Sequence, residues 1–124
     1  MTGRGGVMRA AELRSFCLGF NGSAEEFPFG DVVSVFKVAG KIFALSWLEE
    51  SPLRVNLKCE PEYALRLRAD HPAIVPGYHM NKRHWNTVTV GELPARLVRE
   101  LVEDSYDLVV AGLPRAVRLS LDRP

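Results

Sequence analysis

The chain has 124 residues, 47% of them hydrophobic and 25% charged, which supports one real hydrophobic core and excludes a largely disordered chain. Sixteen Lys plus Arg stand against fifteen Asp plus Glu, for a formal charge of +1. That balance lacks the overall basic excess of a dedicated nucleic-acid binder, so any polyanion site has to come from local clustering.

Residues 1–7 read as a disordered lead-in, and without an apolar core they do not resemble a signal peptide. Ala10, Leu13, Phe16, Cys17 and Phe20 then recur at helical spacing, and Asn21-Gly22 ends that helix. Ser23 to Gly30 reads as a loop in which Pro28 fixes the backbone between Phe27 and Phe29. Val32–Val38 is β-branched and apolar, and Ala39-Gly40 turns it into a second strand over Lys41–Leu48. Leu53 to Cys59 alternates, with Leu53, Val55, Leu57 and Cys59 on one face and Arg54, Asn56 and Lys58 on the other, the pattern of a half-buried antiparallel strand.

Glu60-Pro61-Glu62 opens a short helix that runs to about Ala69, with proline in the first turn and acids at the positive end of the dipole. Residues 73–84 read as a bent strand or loop, and Trp85–Val90 as a strand. Pro94 opens the longest helix, whose inward stripe is Leu97, Val98, Leu101, Val102, Ser105, Leu108 and Val109; Gly112-Leu113-Pro114 closes it. The tail, 115–124, either adds a short strand or stays mobile. Grouped strands with helices that do not strictly alternate predict an α+β domain over 8–114, an antiparallel sheet with helices packed on one face.

The densest polar stretch is Pro76-Gly77-Tyr78-His79-Met80-Asn81-Lys82-Arg83-His84-Trp85-Asn86. Its cations and amides can hold phosphate oxygens, and its flat rings can stack on bases or pack against sugar. The stretch reads equally as a solvated surface loop that Trp85 anchors to the core. Lys37, Lys41, Arg54 and Lys58 sit in or beside the strands with no acid inside those runs; they either form a basic face or solvate the exposed side of a one-sided sheet. Glu92, Glu100, Glu103, Asp104 and Asp107 make the last helix acidic, and this asymmetry can steer an anion although the total charge is near zero.

No catalytic set emerges. Ser105 lies in a helix rather than on a strained elbow, no phosphate-binding glycine motif occurs, and Cys17 and Cys59 fall on apolar faces as two buried thiols of a reducing compartment. His71, His79 and His84 have no zinc-ligand spacing, so neither a metal nor another cofactor is expected. The longest apolar runs are too short to cross a bilayer, and a cytoplasmic bacterial protein, monomeric or weakly dimeric, is expected.

Phe27-Pro28-Phe29-Gly30, Gly40-Lys41-Ile42-Phe43-Ala44, Asn56-Leu57-Lys58-Cys59, the 76–86 string and Ser105-Tyr106-Asp107-Leu108-Val109 occur in an order that resembles the MmcQ/YjbR family of small bacterial proteins, over about residues 10 to 115. The resemblance implies a CyaY-like α+β fold, also described as a double wing and likened to the DNA-binding domain of a phage regulator. By family pattern, Lys37, Lys58, His79, Asn81, Lys82, His84, Trp85 and Asn86 fall on motif positions. A frataxin-like iron role needs an acidic ridge at the first helix, where this chain carries Arg9 and Arg14 as well as Glu12, so the electrostatics oppose it.

The expected function is a DNA-binding module that uses the basic strands and the 76–86 loop, through Lys37, Lys58, Tyr78, His79, Asn81, Lys82, Arg83, His84, Trp85 and Asn86. The alternative is a domain that binds an acidic protein or a small anionic ligand, with His79, Asn81, Lys82 and Trp85 forming a pocket. Neither reading involves catalysis.

Overall fold

A computed structural model describes residues 6–78 and 80–122 of the chain. Among these residues the order is α1 (Ala10–Leu18), β1 (Ser23–Glu26), β2 (Ser34–Val38), β3 (Lys41–Ser46), β4 (Arg54–Lys58), α2 (Pro61–Asp70), β5 (Ile74–Pro76), β6 (Trp85–Thr89), α3 (Ala95–Ala111) and α4 (Arg115–Ser120). The strands form one antiparallel sheet in the order β1-β2-β3-β4-β6-β5. The α+β class and the antiparallel sheet read from the sequence are both present.

Helices α1, α2 and α3 cover one face of the sheet. Phe36, Val38, Phe43, Val55, Leu57, Ile74 and Val88 point to that side and share a buried cluster with Leu13, Cys17, Leu67, Val98, Val102 and Tyr106. Phe20 stacks on Tyr106 at 4.6 Å between ring centroids, and Phe43 meets Tyr106 edge-on at 5.4 Å. The Tyr106 hydroxyl donates to the Asn21 carbonyl at 2.7 Å, so the buried phenol brings its own polar satisfaction.

A β-bulge sets the geometry where α3 crosses the sheet. Phe36 pairs with Ala44 and Lys37 with Ile42, which leaves Phe43 as the extra residue of β3. The β3–β4 pairing stops at Ala44 and Leu57. Ser105 of α3 fills the gap: its hydroxyl donates to the Phe43 carbonyl at 2.6 Å and accepts from the Lys58 amide at 2.8 Å, with the side chain fully buried. A helical serine thus completes the ladder between two strands.

Several elements depart from the sequence expectation. Ser23–Glu26, expected as loop, is the edge strand β1. It has no apolar alternation to announce it and is held by its pairing with β2, by Glu25 against Arg14 and Ser34, and by Glu26 against Lys37. Helix α1 closes at Gly19, two residues before the expected end. In α3 the buried stripe includes Tyr106 and Val110, while Leu108 faces outward at 36% exposure. The acid at Glu92 belongs to a short 3-10 turn before α3.

The tail is helical through Ser120: Pro114 restarts a helix, Arg118 donates to the Leu113 carbonyl at 2.6 Å, and Leu121 packs against the core. Leu121 also sits where a Cβ on Gly22 would stand, and Gly22 has a φ of +72°, so only glycine suits that position. At the other end, the expected lead-in falls mostly on 1–5, outside the described residues, but the Gly6 carbonyl accepts from the Ala95 amide and caps α3.

Replacing Ser105 by alanine strands the Phe43 carbonyl and the Lys58 amide. Urea unfolding should show a loss of about 1–3 kcal/mol, the cost of unsatisfied buried polar groups. An unchanged midpoint would mean that water replaces the hydroxyl.

Candidate functional site

The face of the sheet away from α1–α3 is the informative one. By register, Val35, Leu45, Asn56, Thr87 and Val75 form a row across five strands on this face. Lys37, Ile42, Lys58 and Trp85 lie toward one end of it, and Trp47, Arg54 and Thr89 toward the other. Val33, Val35 and Leu45 are buried there in a second, smaller cluster with Ile42 and Trp47. Asn56 is only 3% exposed, which corrects the reading of the Arg54-Asn56-Lys58 side of β4 as a simple solvated face.

The segment after β5 folds back over this face and covers Asn56. Asn56 Nδ2 donates to the Tyr78 carbonyl at 3.0 Å, the Tyr78 amide donates to Thr87 Oγ1 at 2.8 Å, and Thr87 Oγ1 donates to Asn56 Oδ1 at 2.5 Å. The three bonds close a ring that satisfies both main-chain groups of Tyr78. Gly77 makes the approach feasible: its amide donates to the Trp85 carbonyl at 2.8 Å, and a Cβ on it would stand 2.7 Å from Trp85 Cβ. No other residue fits that contact.

The far end of the loop is fastened from the helix side. Arg68 of α2 donates Nε to Asn86 Oδ1 at 2.7 Å and Nη2 to the carbonyls of Lys82 and Trp85. Asn81 Oδ1 accepts from the Arg83 amide at 2.9 Å, and the His84 amide donates to the Asn81 carbonyl. Lys82 Nζ turns back to the Gly77 carbonyl at 3.3 Å.

The expected site residues therefore divide. Lys37, Lys58 and Trp85 share the open face, and Tyr78 lies over it, 65% exposed. Lys37 is paired with Glu26 at 3.0 Å. Asn86 is buried and, by register with Leu57, points to the helix side, so it does not join the others on one patch. Asn81, Lys82 and Arg83 are exposed on the loop, and His84 is half-buried. His79 lies outside the described residues. Among the described residues Arg54, Lys58 and Arg83 have no carboxylate partner. The acidic character of α3 is as read: burial and the charges of Asp107, Glu103 and Glu100 hold the Asp104 carboxyl above its usual range.

What the sequence reading missed is a cleft. A cavity of about 510 Å³ opens on the same face, lined by Leu45, Trp47, Glu50, Arg54, Val75 and Tyr78, with Asn56 and Thr87 in its floor. A second hollow of about 290 Å³ continues it past Asn56 and Tyr78 toward Phe29, Ile42 and Met80. A signal for it was present in the unbroken apolar run Ile42–Leu45 and in the apolar doublets Val32-Val33 and Val35-Phe36. A strand that is apolar at successive positions has both faces covered, whereas a one-sided sheet alternates.

The family model described as YjbR matches residues 18–108, from the end of α1 to within α3. The chain belongs to the YjbR family. The Escherichia coli (strain K12) protein YjbR, uncharacterized by name, is 34% identical over 112 residues, covering 90% of this chain and 95% of its own. YbdF of Escherichia coli O157:H7, likewise uncharacterized by name, is 46% identical over 90 residues, covering 72% and 74%. The crystal structure of Deinococcus radiodurans protein DR2400, a DUF419 domain, superposes with a TM-score of 0.87 at 43% identity, over 95% of this chain and 91% of that one. A Pseudomonas syringae protein gives 0.71 at 29% identity, over 82% and 98%. This YjbR-family chain thus shares its sheet and helices with solved relatives. No helix among its described residues is long and apolar enough to cross a membrane.

Among the described residues no group of three or more His, Cys, Asp or Glu is arranged to hold a metal ion. Burial, with Glu25 adding, pushes the Cys17 thiol up to about 12; burial, with Asp104 and Glu60 adding, pushes Cys59 up to about 11. Both should resist iodoacetamide at about pH 8 in the folded protein and react once urea unfolds it. Labelling of either thiol in the native state would place it at an accessible site.

Asn56→Ala removes the donor to Tyr78 and the acceptor for Thr87. It should cost about 1–3 kcal/mol in urea unfolding and speed hydrogen exchange at the Tyr78 amide. Exchange at wild-type rates would show that the loop is held elsewhere.

Proposed function

We propose that the protein is a binding module whose ligand occupies the cleft on the open face of the sheet, and that this ligand joins an apolar or aromatic body to an anionic group. The observation that carries the reading is the cleft itself. Its volume of about 510 Å³ lies in the range of small-ligand sites, about 300–1,000 Å³, and its walls are aromatic and aliphatic, with Arg54 as a cation at the rim. The polar floor is already satisfied by the Asn56–Thr87–Tyr78 ring, so an apolar body can settle on it without stranding a donor.

Duplex DNA, contacted through the basic strands and the 76–86 loop, finds less support in the same geometry. Phosphate-backbone binding draws its affinity from several available cations. Here Lys37 is neutralised by Glu26, the Lys82 ammonium bonds within its own loop, and Asn86 faces the helices. The acidic α3 offers no reading helix for a major groove. The motif residues of the loop support a holding role: they position Tyr78 and Met80 as walls of the cleft.

Anilinonaphthalene sulfonate, an aromatic anion, tests the reading. It should bind the folded protein at one site with enhanced fluorescence, and Arg54→Glu and Trp47→Ala should each weaken binding about tenfold or more, equivalent to about 1.4 kcal/mol. A short duplex titrated at low and high salt serves as the counter-test. If the duplex binds, Lys82→Glu abolishes that binding, and the dye binds Arg54→Glu as well as the parent, the cleft is the wrong site and the loop surface the right one.

A further inference from the structure

The rim of the cleft carries two charges of opposite sign. The turn between β3 and β4, 47–53, contributes Trp47, Glu50 and Pro52 to the lining, and Arg54, the first residue of β4, follows it there. The turn is closed by the Glu50 amide donating to the Trp47 carbonyl at 3.1 Å. The Glu50 and Arg54 side chains are both exposed. Among the described residues, neither has an ion-pair or side-chain hydrogen-bond partner, and they do not pair with each other. The turn and the first residue of β4 thus present an aromatic wall, a free carboxylate and a free guanidinium to the same cavity.

A simple anion placed on Arg54 gains from that one charge and leaves the Glu50 carboxylate without a counter-charge. A ligand with one charge of each sign gains from both, and it excludes analogues that lack either charge. With its polar floor internally bonded, the cleft has Glu50 and Arg54 as the charged groups among its described lining residues, while Trp47, Val75 and Tyr78 bound the space for a flat body.

We infer that the cleft takes a free aromatic α-amino acid, with the carboxylate on Arg54, the ammonium on Glu50 and the ring against Trp47 and Tyr78. This rests on the proposed binding cleft and adds the identity of its ligand class. A peptide is disfavoured because it separates the two charges by its own length, whereas the α-carbon of a free amino acid keeps them adjacent.

Calorimetry with L-tryptophan, N-acetyl-L-tryptophan and tryptamine separates the possibilities, with circular dichroism confirming that each variant is folded. L-Tryptophan should bind tightest, and removal of its ammonium or its carboxylate should weaken binding about tenfold. Glu50→Gln should cost L-tryptophan about tenfold while leaving N-acetyl-L-tryptophan unchanged or tighter; Arg54→Gln should do the converse with tryptamine. If N-acetyl-L-tryptophan binds the parent as tightly as L-tryptophan, the amino-acid assignment is overturned and the anion cleft stands. The same holds if anilinonaphthalene sulfonate binds in the cleft and L-tryptophan does not. If neither the dye nor any of the three compounds binds, the cleft reading itself falls.

Discussion

The open face of this protein depends on one closed ring of hydrogen bonds. An antiparallel sheet with helices on one side ordinarily leaves its other side to water. Here Asn56 and Thr87, adjacent on β4 and β6, project from that other side and grip the peptide groups of Tyr78. Each such bond contributes on the order of 1 kcal/mol net, but unmaking one strands a buried partner at greater cost. The loop is therefore seated in one register, and the space it encloses against Trp47 and Val75 has a defined shape.

The helix side follows the same logic in a different place. The bulge at Phe43 gives β3 its extra residue and interrupts the ladder to β4, and the Ser105 hydroxyl bonds both groups left over. A helix cannot supply backbone groups to a sheet, because its own are spent internally. A small hydroxylated side chain can, and α3 is tied to the sheet by hydrogen bonds as well as by apolar packing. Arg68 plays the corresponding role for the loop, reaching from α2 to the carbonyls of Lys82 and Trp85 and to Asn86.

The sheet's central strands, α2 and α3 were legible because their signals are local. The turn at Ala39-Gly40 has φ of +50° and +79°, as a tight hairpin demands, and Glu60 caps α2 with its own carboxylate. Strand β1 was not legible, since Ser-Ala-Glu-Glu has no strand pattern and exists through its pairing with β2. The site was half legible. Composition drew the eye to 76–86, which does border the cleft, and the polar groups of Asn81, Lys82 and Asn86 there bond within the loop and to Arg68. Arg54 was read as one of the strand cations, but Glu50 and Trp47 were hidden because their convergence with it is a product of the turn, and no spacing rule describes a rim.

The two edges of the sheet set a boundary on how this molecule meets its neighbours. At one margin β5 is three residues long and ends in Pro76, which has no amide to offer an incoming strand. At the other, β1 is four residues long and half of them are glutamates. Short, charged or proline-stopped margins discourage edge-to-edge growth between chains. Self-association by ladder extension is thereby disfavoured, and encounters with other molecules are directed to side-chain surfaces.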